Sequence, residues 1–217
     1  MGRPSGWWWI RHAPVRGSEG RLNGQRDVDC DTSDEASLRV LAAMLPGDAV
    51  AIVSPLKRTR QTLAAIAAAG ARLPKPVVEP DFVEQSFGRW EGLSWAEMQA
   101  RDAGVYADFW RNPTRNAPPD GESFAAQMRR TAAAIERLTA AFAGRDIVSV
   151  SHGGTIRAAV AHALGLTPEA AMAIVVDNLS LTRLSLVHDR LLSPGPRHLG
   201  SAGHQRAMQV ARRGTIA

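Results

Sequence analysis

Reactive side chains stand at the ends of three apolar runs that are short enough to be buried strands. Arg11 and His12 end the first run, Arg58 follows the second, and His152 follows the third. In open α/β sheets, ligands bind beyond the carboxyl ends of the strands. We therefore expect these four side chains to meet at one edge of a sheet.

Two histidines, two arginines and a carboxylate form a set that suits phosphoryl transfer. Glu84 supplies the carboxylate, and it follows a further predicted strand at residues 77–79. Arginine binds phosphate oxygens through its planar fork, and backbone amides at a helix start, such as those after Gly153, also bind anions. A neutral imidazole can attack phosphorus, and a carboxylic acid can protonate a departing alkoxide.

The elements that must position these groups alternate between strands and helices. This pattern predicts an α/β fold, a three-layer sandwich with a mostly parallel central sheet and helices on both faces. The predicted strands cover residues 7–11, 49–53, 77–79, 147–150, 173–176 and 180–188. The predicted helices cover 32–45, with a Thr32–Glu35 capping box, then 55–69, 94–101, 103–110, 121–142 and 153–164.

The chain shows no repeat and no interdomain linker, so residues 1–190 are expected to form one domain. Residues 12–31 contain one proline and three glycines and form a long loop, which favours a functional role. After Arg190 the sequence is rich in proline, glycine and arginine and has little periodicity. Residues 191–217 are therefore predicted to be a loosely ordered tail.

Composition narrows the function classes. The 217 residues are 45% hydrophobic and contain no apolar window long enough to span a membrane. The first apolar run is too short for a signal peptide. We therefore expect a cytoplasmic protein with no membrane partner. Cys30 is the only cysteine, and the six histidines are not grouped at ligand spacing, so neither a disulfide nor a metal site is expected. The net charge is +5, but the arginines are scattered, which argues against nucleic acid as a partner.

Five motifs, in order over about residues 7–188, resemble the histidine phosphatase (phosphoglycerate mutase-like) superfamily, and its small bacterial phosphatases in particular. The motifs are Arg11-His12-Ala13; Ser54-Pro55-Leu56-Lys57-Arg58 with Thr62; Glu84 with Gly88-Arg89-Trp90-Glu91-Gly92; Pro119-Asp120-Gly121-Glu122-Ser123; and Ser151-His152-Gly153-Gly154. In the family's pattern a glycine stands where this chain has Ala13. Any group that comes close to the backbone at this position must therefore accommodate the Cβ of the alanine.

The resemblance implies roles for these residues. His12 would be the nucleophile and Glu84 the proton donor, while Arg11, Arg58 and His152 would hold the phosphoryl group. Asn23, Gly24 and Gly153 would contact the substrate. Many members have a phosphate-binding asparagine in the first loop, and here Ser18 and Asn23 are both candidates for that position.

The resemblance thus predicts a metal-independent phosphatase without a cofactor, which hydrolyses a small phosphate monoester through a phosphohistidine. Alpha-ribazole phosphate or a sugar phosphate is the expected substrate, and a homodimer remains open. Two alternatives stand beside this hypothesis: a phosphoglycerate mutase, and a non-catalytic phosphate-binding module on the same fold. Trp90, Trp95 and Trp110 are expected to pack in the core or in a lid, and Cys30 to be inert.

Overall fold

One six-stranded sheet organises the molecule. In a computed structural model, which describes residues 5–18, 20–186 and 208–211, the strand order is β3-β2-β4-β1-β5-β6. The strands are β1 Ser5–Arg11, β2 Val50–Val53, β3 Val77–Val78, β4 Ile147–Ser151, β5 Leu181–Leu186 and β6 Met208–Ala211. Strands β1 to β4 run parallel, and β5 and β6 continue the sheet antiparallel, which confirms the predicted mostly parallel sheet.

Helices cover both faces of this sheet. They are α1 Glu35–Met44, α2 Lys57–Ala68, α3 Trp95–Arg101, α4 Ala103–Arg111, α5 Phe124–Ala141, α6 Gly153–Leu164 and α7 Pro168–Met172. Alternate residues of a strand point to opposite faces. In β2, Val50 and Ile52 pack against α5 and α6, whereas Ala51 and Val53 pack against α1 and α2. The predicted three-layer arrangement is therefore confirmed.

The face of β1 that meets α5 and α6 carries two stacked tryptophans. The rings of Trp7 and Trp9 lie parallel at 4.9 Å between centroids, and Phe82 packs edge-on against both. Trp7 also donates its indole N–H to Thr139 Oγ1 at 3.0 Å, so a large ring is buried with its polar atom satisfied. This layer is a rigid base for the residues that follow β1.

A smaller core under α3 and α4 forms a cap beside the sheet. Trp90 is buried there with Met98 and Phe109, as expected for a core or lid residue. Trp95 and Trp110 pack at the surface of this cap, where 46% and 43% of their surfaces are exposed; their rings lie 5.5 Å apart, and Trp110 also packs edge-on against Phe109 at 5.3 Å.

The sequence patterns predicted some helix and strand boundaries incorrectly. The first helix is capped by Asp34, whose carboxylate accepts from the Ser37 N–H, and not by a Thr32–Glu35 box. The long helix starts at Phe124 after the cap Ser123, three residues later than predicted. Residues 173–176 are not a strand; they follow α7 as irregular chain, in which Val175 is 79% exposed while Val176 is buried in the core.

The tail predicted to be loosely ordered contributes one strand. Met208–Ala211 forms β6, which pairs with β5 at the edge of the sheet, so these four residues differ from the expectation. The other residues of the predicted tail lie outside the described part of the chain. Among the described helices, none is long and apolar enough to cross a membrane.

Candidate active site

A cavity of about 430 Å³ lies at the carboxyl end of β1. Seven of the residues singled out from the sequence line it: Arg11, His12, Ser18, Asn23, Gly24, Arg58 and Glu84. Pro14, Val15, Leu22 and Phe87 form apolar parts of its wall. The fold therefore gathers the predicted nucleophile, both arginines and the carboxylate around one space.

His12 is fixed in one tautomer. Its ring is 94% buried, and Nδ1 lies 2.7 Å from the carbonyl oxygen of Ala13, an arrangement that requires Nδ1 to carry the hydrogen. The other ring nitrogen, Nε2, accepts a 3.2 Å hydrogen bond from Arg58 Nε. The lone pair of Nε2 is thus the nucleophilic electron pair of this side chain.

The surroundings keep the imidazole of His12 neutral. Burial, followed by the positive charges of Arg58 and Arg11, lowers the pKa of His12 from 6.5 to about 3. The carbonyl oxygen of Ala13 opposes this shift, because it favours a hydrogen on Nδ1. At neutral pH Nε2 is therefore unprotonated and has the lone pair that attack on phosphorus requires.

Arg58 is a buried cation that the first loop holds in place. Its side chain is 1% exposed, and its two Nη atoms donate to the carbonyl oxygens of Arg26 at 2.8 Å and Gly24 at 2.7 Å. Gly24 has φ +50°, and a Cβ there would collide with the Glu91 carboxylate, so this position needs glycine. Gly24 lines the cavity, and its backbone orients the guanidinium that faces His12.

Arg11 brings the second positive charge. Its Nη1 donates to the Val176 carbonyl at 2.6 Å, while Nε is buried with no hydrogen-bond partner among the described residues. Burial lowers the pKa of Arg11, and the charge of Glu84 opposes that shift. A guanidinium stays protonated in proteins, so Arg11 keeps an N–H donor for an anion in the cavity.

His152 lies beside His12 but does not line the cavity itself. The two rings meet edge-on at 5.2 Å between centroids, and His152 is fully buried. Its Nε2 lies 2.7 Å from Ser54 Oγ, which already accepts from the Leu56 N–H and can give its own hydrogen to the ring. Nδ1, which has no partner among the described residues, then carries a hydrogen that it can donate.

The two oxygens of Glu84 have unequal surroundings. Oε1 accepts two hydrogen bonds, from the Gln85 N–H at 3.0 Å and from Gln127 Nε2 at 2.9 Å. Oε2 accepts only a longer one, 3.3 Å, from the N–H of Gly154 near the start of α6. The side chain is partly buried and lines the cavity, so it can exchange a proton with a bound molecule.

The three other candidate substrate contacts, Ser18, Asn23 and Gly153, do not all line the cavity. Ser18 and Asn23 both line the cavity; the Ser18 hydroxyl donates to the Val15 carbonyl at 3.3 Å, and Asn23 Oδ1 is buried without a partner among the described residues. Gly153 opens α6 and does not line the cavity, although a Cβ there would stand 3.6 Å from Arg11 Nε. No group of three or more potential metal ligands occurs within the described ranges.

Sequence reasoning missed several residues of this region, among them Arg21, which lines the cavity, and Asn178 and Gln127. Asn178 lines the cavity and donates from Nδ2 to the His12 carbonyl at 2.7 Å, which ties the segment before β5 to His12. No local pattern marks Asn178. Gln127 carried a signal, because it stands on the apolar side of α5 between Phe124 and Thr131, where a glutamine is unexpected.

Comparison with known proteins agrees with this geometry. A family model described as histidine phosphatase superfamily (branch 1) matches residues 7–193. A bifunctional protein of Mycobacterium tuberculosis is 39% identical over 106 residues, which are 49% of this chain and 28% of that protein. The chain therefore spans little more than a quarter of that relative.

Two relatives match over most of their length. A glucosyl-3-phosphoglycerate phosphatase of Mycolicibacterium vanbaalenii is 32% identical, with 72% of this chain and 73% of that protein covered. A 2,3-bisphosphoglycerate-dependent phosphoglycerate mutase 2 of Gloeobacter violaceus is 30% identical, with 74% and 76% covered. The alpha-ribazole phosphatase of Shigella flexneri shares the fold, with a TM-score of 0.74 over 82% of this chain and 89% of that one at 23% identity.

Proposed function

Because the chain belongs to the histidine phosphatase superfamily, branch 1, we propose that it is a phosphatase that hydrolyses a small phosphate monoester through a phosphohistidine at His12. The observation that carries the proposal is the state of His12. A buried, neutral imidazole, with its hydrogen on Nδ1 and its lone pair on Nε2, stands in a cavity with the guanidinium groups of Arg11 and Arg58. This combination suits a nucleophile for a dianionic phosphate better than a structural histidine.

Substrate binding would free the nucleophile. Without a ligand, Arg58 Nε donates to His12 Nε2 and covers the lone pair. A phosphate oxygen is a stronger acceptor for a guanidinium than a neutral imidazole is, because the hydrogen bond is then assisted by charge on both sides. A bound phosphoryl group would therefore take over the Arg58 N–H and leave Nε2 free to attack.

In the first step, Nε2 of His12 forms a bond to phosphorus as the bond from phosphorus to the ester oxygen breaks. Glu84 gives its proton to that oxygen, and an alcohol departs. Arg11, Arg58 and His152 Nδ1 would stabilise the negative charge on the three equatorial oxygens. The imidazole becomes positively charged on phosphorylation, and the hydrogen bond from Nδ1 to the Ala13 carbonyl stabilises that charge.

In the second step, the Glu84 carboxylate takes a proton from water as the oxygen attacks phosphorus. The bond to Nε2 breaks, inorganic phosphate leaves, and Glu84 is protonated again for the next cycle. Each group ends as it began, so no cofactor is required.

The proposed substrates are esters that fit a small cavity with a cationic floor and an apolar wall. Alpha-ribazole phosphate and sugar phosphates remain the candidates, and the relatives add glucosyl-3-phosphoglycerate. A panel of these esters, with phosphoserine, would rank them by kcat/KM. The mutase alternative is tested in the same panel by the interconversion of 2- and 3-phosphoglycerate.

Trapping the intermediate tests the mechanism. We expect a rapid quench of the enzyme with substrate to give an acid-labile, alkali-stable phosphoryl group, and peptide mass spectrometry should locate it on His12. His12→Ala should remain folded and lose both the label and turnover. Residual activity above about one per cent of wild type in His12→Ala would contradict the assignment of His12 as nucleophile.

A further inference from the structure

We infer that Gln127 is a positioning residue for the acid, and that it makes Glu84 Oε2 the oxygen that carries the transferred proton. The inference rests on the proposed function, because it concerns the proton that Glu84 gives to the leaving group. It goes beyond that function because it assigns a role to a residue in α5 that does not line the cavity.

Gln127 is fully buried, and both hydrogens of its amide are used. Nε2 donates to Glu84 Oε1 at 2.9 Å and to Thr155 Oγ1 at 3.3 Å. The Thr155 hydroxyl gives its own hydrogen to the carbonyl oxygens of Phe82 and Val83, so its oxygen is available as an acceptor. These contacts fix the amide with Nε2 toward the carboxylate.

This orientation leaves the amide oxygen unsatisfied. Gln127 Oε1 is buried without a hydrogen-bond partner among the described residues. Buried polar atoms are nearly always paired, and an exception calls for an explanation. A glutamine with a purely structural role would gain from pairing both ends, whereas here one end is unpaired while the other holds a carboxylate.

The consequence for Glu84 is an asymmetry between its oxygens. Oε1 has two N–H donors, from Gln127 and Gln85, and an oxygen that accepts two hydrogen bonds has little room for a proton of its own. Oε2 has a single long contact with the Gly154 N–H. The proton therefore sits on Oε2, and Gln127 keeps the carboxyl group from rotating.

Gly154 makes this arrangement sterically feasible. A Cβ at position 154 would collide with Glu84 Oε1 and would lie 2.6 Å from Gln127 Oε1. The acid, the amide and the first turn of α6 thus share a space that only a glycine leaves open.

The test replaces the amide by an apolar group of similar length. Gln127→Met should lower kcat/KM for an alkyl phosphate such as 2-glycerol phosphate by about 10- to 100-fold, and for p-nitrophenyl phosphate by less than about threefold, because nitrophenolate leaves without a proton. The parameter kcat/KM reports the step in which the leaving group departs. Inhibition by inorganic phosphate should not change, since the arginines and His152 remain.

A double-mutant cycle with Glu84→Gln separates positioning from a structural role. In the Glu84→Gln background, Gln127→Met should cause no further loss, because no proton remains to be positioned. The matched control is Thr131→Val, which alters another fully buried polar group one turn further along α5. It should affect both esters equally or not at all. If Gln127→Met does not fold, Gln127→Asn, whose amide is one methylene shorter, should give the same selective loss.

Three results would overturn the inference. The first is an equal loss of kcat/KM on both esters in Gln127→Met. The second is that Gln127→Met causes its full loss of kcat/KM again in the Glu84→Gln background. The third is that Gln127→Met has wild-type rates while Glu84→Gln loses activity selectively on the alkyl phosphate. The last result would leave the proposed function standing. A wild-type protein that hydrolyses neither ester nor the metabolite panel would refute the proposed function and this inference together.

Discussion

His12 and His152 are both buried as neutral imidazoles, and in each a hydrogen bond to one ring nitrogen decides what the other can do. The Ala13 carbonyl places the hydrogen of His12 on Nδ1, which leaves a nucleophilic lone pair on Nε2. The Ser54 hydroxyl occupies Nε2 of His152, which leaves Nδ1 as a donor. Two identical side chains 5.2 Å apart are thereby prepared for opposite tasks.

Burying two neutral histidines makes stability depend on pH. The pKa of His12 is lowered from 6.5 to about 3 by burial and neighbouring arginines, and that of His152 is lowered by the same causes. The unfolded chain therefore binds protons that the folded protein does not. The stability that His12 contributes is fully present above pH 6.5 and is lost as the pH falls toward 3, by about 2–3 kcal/mol at about pH 4.5, and His152 acts in the same direction.

Urea unfolding between neutral pH and about pH 4.5, in buffers without phosphate, checks this expectation. The free energy of unfolding should decrease with pH in the wild type and decrease less steeply in His12→Gln and His152→Gln. Parallel pH dependences in the three proteins would show that these histidines do not carry the effect.

Glu84→Gln tests the acid separately from phosphate binding. The amide cannot transfer a proton, so kcat/KM for an alkyl phosphate should fall on the order of 10²–10⁴-fold. The loss should be much smaller for p-nitrophenyl phosphate, and inorganic phosphate should still inhibit. If both esters lose the same fraction of their rate, with chemistry limiting, Glu84 does not protonate the leaving oxygen.

Among the strands, β6 is the one that the sequence did not predict. It pairs with β5, and β5 separates it from β1, whose carboxyl end carries Arg11 and His12. We expect removal of residues 195–217 to leave a folded core that still binds phosphate, but with a lower Tm and with self-association through the exposed edge of β5.

Thermal unfolding, size-exclusion chromatography and phosphate binding would measure these effects. The matched control removes only residues 212–217 and keeps β6, and it should behave like the full chain. Insoluble or molten protein after the longer truncation, with a normal control, would mean that the tail is needed for the sheet to fold.

At the scale of the whole molecule, arginine supplies the positive charge that the proposed phosphate ester would require. The chain has a formal net charge of +5, and the cavity is lined by the buried Arg58 and the partly buried Arg11. Guanidinium groups can neutralise a phosphoryl group without a metal ion. We therefore expect EDTA to leave the rate unchanged; a loss of activity that added Mg²⁺ or Zn²⁺ restores would refute this.

The sequence by itself determined the class of fold and the main members of the site. Apolar runs of strand length, helix periodicity and the reactive residues at strand ends are local features, so β1, β4 and α6 and the side chains of Arg11, His12 and His152 could be placed without coordinates. Their convergence followed because the carboxyl ends of parallel strands share one edge of the sheet.

Only the tertiary structure decided how these residues work, because the deciding contacts join distant parts of the chain. Ser54 and His152 are 98 residues apart, and Asn178 and His12 are 166 apart. Gln127 meets Glu84 across 43 residues. The tautomers, the asymmetry of the carboxylate and the pairing of β6 all depend on such contacts, and hydrogen bonds between distant residues leave no periodic trace in a sequence.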